Sequence, residues 1–120
     1  MITINSKFFC FDNTGVKQVK CIRIFNKKYI KPGSLLLVVL RKVKVHKKLK
    51  KGQIYRAIVI RLTKFVTRYS GISNAYKVNG IILFKKHELM PLGTRIYGSV
   101  FFEIRLLGFM KIVSLAAYLI

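Results

Sequence analysis

Acidic residues are nearly missing from this chain. Three Asp and Glu stand against 24 Lys and Arg in 120 residues, a formal charge of +21 at pH 7. This shortage excludes most carboxylate chemistry: Asp12 is the one aspartate, and Glu88 and Glu103 lie in dissimilar contexts that suggest no acid–base pair. No Gly-x-Gly-x-x-Gly, Walker or Gly-x-Ser-x-Gly pattern occurs, so an enzyme is not expected. Cysteine is scarce as well. Cys10 and Cys21 form no Cys-x-x-Cys pair, and with His46 and His87 they match no zinc-finger spacing. Both lie in strand-like apolar runs, where a buried free thiol is common, so neither a metal nor another cofactor is expected.

Long hydrophobic runs are also lacking. Residues 112–120 form an apolar stretch broken only by Ser114, far short of the roughly 20 residues a membrane-spanning helix needs. Residues 35–40 make a shorter run that reads as a buried strand. Strand signals begin within ten residues of Met1, and no leader pattern precedes them, so a targeting segment is expected to be absent or removed. No repeat, low-complexity segment or linker breaks the chain, which reads as one domain over residues 1–120.

What is present is a hydrophobic content of 52%, enough for a small folded core. A charge of about 2–8 suffices to keep a small domain soluble. The much larger excess here calls for a polyanion, with nucleic acid the first candidate and an anionic membrane surface the second.

The residues themselves indicate strands. In Lys50-Lys51-Gly52-Gln53-Ile54-Tyr55-Arg56-Ala57-Ile58-Val59-Ile60-Arg61, residues 57–60 are apolar without alternation. Both faces of that strand should be covered, as in a small closed barrel, with Arg56 and Arg61 keeping charge at its rim. Residues 8–11 and 19–25 read as two strands joined by the turn formers Asp12-Asn13-Thr14-Gly15, with Asp12 an Asx-type turn residue. A basic loop at 26–33 carries Lys27, Lys28 and Lys31 around Tyr29, which either stacks on a base or covers a barrel end. Residues 35–40 form a third strand. From 41 to 46 apolar and polar residues alternate, and Arg41, Lys42, Lys44, Lys47, Lys48, Lys50 and Lys51 concentrate charge on what reads as an extended ribbon laid on phosphate. Lys64 and Arg68 belong to a second basic loop closing at Ser70-Gly71. Asn79-Gly80 is a strong hairpin signal on its own. Ser114 could cap a helix over residues 115–119. The turn spacing suits an all-β fold with small helical additions.

Four ordered segments resemble protein L-fourteen of the large ribosomal subunit. They are Asp12-Asn13-Thr14-Gly15-Val16 with the strand after it, Lys50 to Arg61 as written above, Pro91-Leu92-Gly93-Thr94-Arg95-Ile96-Tyr97-Gly98-Ser99-Val100, and Phe109-Met110-Lys111-Ile112-Val113-Ser114-Leu115-Ala116. The resemblance implies a five-stranded β-barrel, a projecting β-ribbon and short C-terminal helices. It sets Asn79 at the start of a strand through Phe84 rather than in a hairpin. It also implies a structural ribosomal protein that binds large-subunit rRNA and contributes to an intersubunit bridge. Its partners would include small-subunit rRNA across the interface, a neighbour of the L-nineteen type and the ribosome-silencing factor, with Thr94, Arg95 and Lys111 on that interface. Arg95 could reach a phosphate or acidic partner bidentately, or pin a turn. Val45 and Lys47 replace an expected proline and glycine, Lys77 replaces an acid, and Ala117 replaces a proline. Charge alone also fits a cationic nucleoid or other nucleic-acid-compacting protein, which the ordered segments argue against. Richness in Lys, Ile, Phe and Tyr, residues with A/T-rich codons, points to a mitochondrial ribosome, with the cytoplasm of an A/T-rich bacterium as the alternative.

Overall fold

A computed structural model of the chain describes residues 4–25, 29–44, 49–116 and 119–120. Its strands are β1 (Lys7–Cys10), β2 (Val16–Ile24), β3 (Leu35–Val43), β4 (Ile54–Arg61), the two-residue β5 (Val66–Thr67) and β6 (Ser73–Asn74), and β7 (Gly80–Leu83). Two short helices follow, α1 (Glu103–Leu106) and α2 (Met110–Leu115). β1, β2, β3, β4 and β7 close a barrel in that order, and β5 pairs with β6 alone. Four barrel seams are antiparallel; the β1–β7 seam is parallel, pairing Phe9 with Gly80 and Cys10 with Ile81. The all-β architecture with small helical additions is therefore as expected.

The unbroken apolar runs of β4 and β7 follow from their position. Ala57, Val59, Ile81 and Leu83 join Phe8, Val19, Leu36, Val38 and Leu40 in one core cluster. Ile58, Ile60, Ile82 and Phe84 face a second cluster made with Ile96, Val100, Ile104 and Ile112. Successive strand residues point to opposite faces, so covering both sides removes any polar alternation. All seven of these β4 and β7 side chains, and Phe84 just after β7, are almost completely buried. The segment after β7 thus serves as a second layer outside the barrel. Its helices are too short to persist alone and depend on Ile104 and Ile112, both buried.

β2 and β3 form the longest ladder, interrupted by register shifts near Gln18 and between Cys21 and Arg23. Such irregularities bend and twist a strand, which helps a five-stranded sheet close. β2 starts three residues before the expected strand because Val16 pairs with Val43 at the far end of β3. Asn79 immediately precedes β7 and makes no hairpin. Its side-chain oxygen accepts from the Thr63 backbone N–H at 2.9 Å and faces the Thr63 hydroxyl at 3.2 Å. Its carbonyl accepts from the Phe9 N–H, at the start of the parallel seam. Gly80 is required there, since a Cβ would lie 2.5 Å from the Phe11 ring.

The C-terminal helix differs from expectation. Ser114 lies inside α2, where its hydroxyl donates to the Lys111 carbonyl at 2.7 Å, and Ala116 already has extended backbone. Leu119 then forms a parallel bridge with Val100, and Phe102 N–H donates to the Ile120 carbonyl. Leu119 and Ile120 thus pair alongside Val100 and Phe102, and the helix ends at Leu115 instead of running over 115–119.

Candidate nucleic-acid interface

The basic segment 41–51 begins where the β3–β4 ladder ends. Leu40 N–H donates to Gln53 and Gly52 N–H donates back to Leu40, both at 2.9 Å. Beyond that point β3 continues along β2 only, and Lys44 N–H is held by the Gly15 carbonyl at 2.8 Å. Arg41, Lys42 and Lys44 are exposed on the outgoing side, Lys50 and Lys51 on the return. Gly52 takes φ +90°, a conformation strained for other residues, and the Gln53 side chain accepts from Lys50 N–H at 3.0 Å to set the return turn. Lys47, Lys48 and His46 lie outside the described residues, as do Lys27 and Lys28. Tyr29 is 44% exposed, and Lys64 is exposed beside an apolar groove shared with Lys31, Phe65, Leu106 and Leu107.

Arg68 stands apart from the other cations. Its guanidinium grips Glu103 through two contacts, at 2.8 and 3.3 Å, and also donates to the Ile120 carbonyl. This fork joins the β5–β6 loop, α1 and the chain end. This ion pair distinguishes Arg68 from the other cations of the proposed RNA-facing set.

A separate group of hydrogen bonds positions Thr94 and Arg95. The Asn13 side chain donates to Thr94 Oγ1 at 2.7 Å and accepts from the backbone N–H groups of Thr94 and Arg95 at 2.8 and 3.3 Å. Gly93 is the close-approach residue: a Cβ there would sit 2.7 Å from Asn13 Oδ1 and 3.1 Å from Asp12 Cβ. Asp12 anchors the other side of this clasp. Buried, its Oδ1 accepts from the Thr14 hydroxyl, the Cys10 thiol and the Thr14 N–H at 2.5, 3.0 and 3.2 Å, and its Oδ2 accepts from Leu83 N–H at 3.3 Å. Asp12 is thus an Asx-turn residue that also ties the turn to β7. Thr94, Arg95 and Lys111 are all exposed, and Thr94 and Lys111 line one cleft with Lys85, Met90 and Leu115.

Arg61 performs the equivalent task at the next turn. Its Nε donates to the Ser99 carbonyl at 2.8 Å, Nη2 donates to the Tyr97 carbonyl, and the guanidinium lies 4.0 Å from the Phe11 ring centre. Gly98, at φ +81°, leaves room for it. The charge expected at the rim of β4 is there, and it holds the Thr94–Arg95 segment from the opposite end.

Burial pushes the Cys10 thiol far up in pKa, reinforced by the Asp12 charge, and burial also raises Cys21. Both shifts favour the protonated thiol in the folded protein. Unfolded thiols titrate at about pH 8.5. The stability these thiols contribute is complete below that pH and declines as pH rises above it, because only the unfolded chain then releases the protons. Among the described residues no three His, Cys, Asp or Glu side chains cluster as metal ligands, and no helix is long and apolar enough to cross a membrane.

The functions of Asn13 and Arg61 were not legible from local sequence: Asn13 meets partners 81 and 82 positions away, and Arg61 reaches 36 and 38 residues ahead. In comparison with known proteins, residues 1–120 match the sequence family described as Ribosomal protein L14p/L23e.

Asn13→Ala should remove three hydrogen bonds at once and loosen the clasp. Hydrogen–deuterium exchange should accelerate at the Thr94 and Arg95 amides, with a stability loss of about 1–3 kcal/mol. Unchanged exchange at those two amides would contradict the clasp.

Proposed function

The chain belongs to the ribosomal protein L14p/L23e family, and from that premise we propose that it binds large-subunit rRNA through its basic rim and meets the small subunit through Thr94, Arg95 and Lys111. As a member of that family it is a structural, non-enzymatic constituent of the large ribosomal subunit that works among rRNA and other ribosomal proteins. The family match does not favour a nucleoid-compacting role. We read residues 1–120 as a single domain of this type.

The observation that carries the rRNA reading is the row of exposed cations at Arg41, Lys42, Lys44, Lys50 and Lys51, on backbone held by β2, β3 and the Gly52 turn. Tyr29 and Lys64 extend this set on other loops, and Lys27, Lys28, Lys47 and Lys48 belong to it by sequence. A barrel that holds its charged segments in place loses less ordering entropy on binding than a loose tail does. Phosphate contacts then fix position and register on the RNA without needing to read much sequence.

Support for the interface reading comes from the clasp. It presents Thr94 and Arg95 outward on fixed backbone, with Lys111 in the same cleft as Thr94. Small-subunit rRNA, a neighbour of the L-nineteen type and the ribosome-silencing factor are the partners proposed for this side. The mitochondrial ribosome is the proposed location, on the strength of the richness in Lys, Ile, Phe and Tyr; the cytoplasm of an A/T-rich bacterium is the second reading.

Replacing Lys42, Lys44, Lys50 and Lys51 by Ala should weaken binding to large-subunit rRNA and reduce the magnitude of the log–log salt slope by roughly 3, at about 0.7–0.9 per lost phosphate contact. Titration across a range of salt measures this, and an unchanged slope would move the RNA face elsewhere. Arg95→Glu places a carboxylate on the interface side. On sucrose gradients it should reduce monosomes and leave large subunits assembled; normal subunit joining would remove the interface assignment.

A further inference from the structure

One cleft among the described residues borders the Asp12–Asn13 turn; it includes Lys44 of the basic rim but none of Thr94, Arg95 and Lys111. Its volume is about 670 Å³, within the roughly 300–1,000 Å³ typical of small-ligand clefts. Phe9, Phe11, Val78 and Tyr97 supply ring and apolar surface, while Lys17 and Lys44 supply charge.

Phe9 occupies an outward position of β1. Its neighbour Phe8 is fully buried in the barrel, whereas Phe9 is 45% exposed. Tyr97 is 55% exposed, yet its backbone is pinned by donation to the Phe11 carbonyl at 2.8 Å and by Arg61 on its own carbonyl. Lys44 is tethered through its backbone to Gly15, and Lys17 is an exposed residue of β2. Two wet aromatic rings on rigid backbone, with two lysines at the same cleft, provide stacking surface for a base and countercharge for a phosphate. Asp12 and Cys10 also line the cleft, but the buried carboxylate already accepts four hydrogen bonds and the thiol is held protonated against it. The exposed charge of the cleft is positive.

We propose that this cleft seats one unpaired RNA nucleotide, its base against Phe9 and Tyr97 and its phosphate at Lys17 and Lys44. The seat deepens the rRNA reading and rests on it. It differs from the basic rim in kind: the rim is satisfied by any correctly spaced phosphates, whereas the cleft needs a base free of its partner strand.

The full-length protein would be titrated with two labelled probes, a short oligouridylate and an RNA duplex of equal phosphate count, by fluorescence anisotropy. Phe9→Ser combined with Tyr97→Ser should weaken oligouridylate binding about 10- to 100-fold, as expected for losing base–aromatic stacking, and leave duplex binding within about twofold. Phe9→Trp with Tyr97→Trp should retain the oligouridylate affinity, since any aromatic face serves. Lys17→Ala with Lys44→Ala should lower the oligouridylate salt slope by about 1.4. Equal loss on both probes, or undiminished oligouridylate binding by the serine variant, would overturn the seat without overturning the rRNA reading of the rim. Absence of salt-dependent binding to either probe by the unaltered protein would overturn the rRNA reading itself.

Discussion

The structure depends on how the protein spends its three carboxylates. Asp12 is buried against Cys10, Thr14 and Leu83, and Glu103 is gripped by Arg68. Glu88 is the one carboxylate on an exposed side chain. Two of the three acids therefore hold chain segments together, and almost none of the 24 cationic side chains can be neutralised from within. A fold in this position must keep its cations apart on the surface and borrow countercharge from outside. The distribution of Arg41, Lys42, Lys44, Lys50 and Lys51 along the rim, away from the apolar clusters, meets the first demand. An RNA partner meets the second.

Around Asp12 and Asn13 the two ends of the chain become one object. The turn after β1 clasps the segment leading to the helices, Gly93 permits the close approach, and Arg61 holds the far side at Tyr97 and Ser99. That segment in turn covers the outer faces of β4 and β7 through Ile96, Val100, Ile104 and Ile112. The same contacts that complete the hydrophobic layer also fix Thr94 and Arg95 in space. Packing and the proposed interface are therefore coupled: a change at Gly93 or Asn13 reaches the surface residues through backbone, without touching them directly.

Much of this was legible in the sequence where the signal was local. Residues 57–60 announced a strand covered on both sides because no polar residue interrupts them, and the second layer over β4 bears that out. Gly93 and Gly98 bracket a short element and each would permit a positive φ or a close backbone approach; Gly98 has the positive φ, and Gly93 lies against Asn13. What was not legible shares a cause, namely dependence on distant residues. Ser114 resembles a helix cap, but the helix had already begun at Met110, and Leu119 and Ile120 pair with Val100 and Phe102. Arg68 looks like one more loop cation until Glu103, 35 residues on, is found beside it. Phe9 and Tyr97 come from segments separated by most of the chain, and only closure of the barrel brings them to one cleft.

Sedimentation of a native lysate, with the protein followed by mass spectrometry across the gradient, tests the central claim most directly: that the unneutralised charge of this barrel is matched by ribosomal RNA of the large subunit. The account predicts co-migration with large subunits and monosomes, abolished by ribonuclease. Migration with DNA or with membranes, insensitive to ribonuclease, would contradict it.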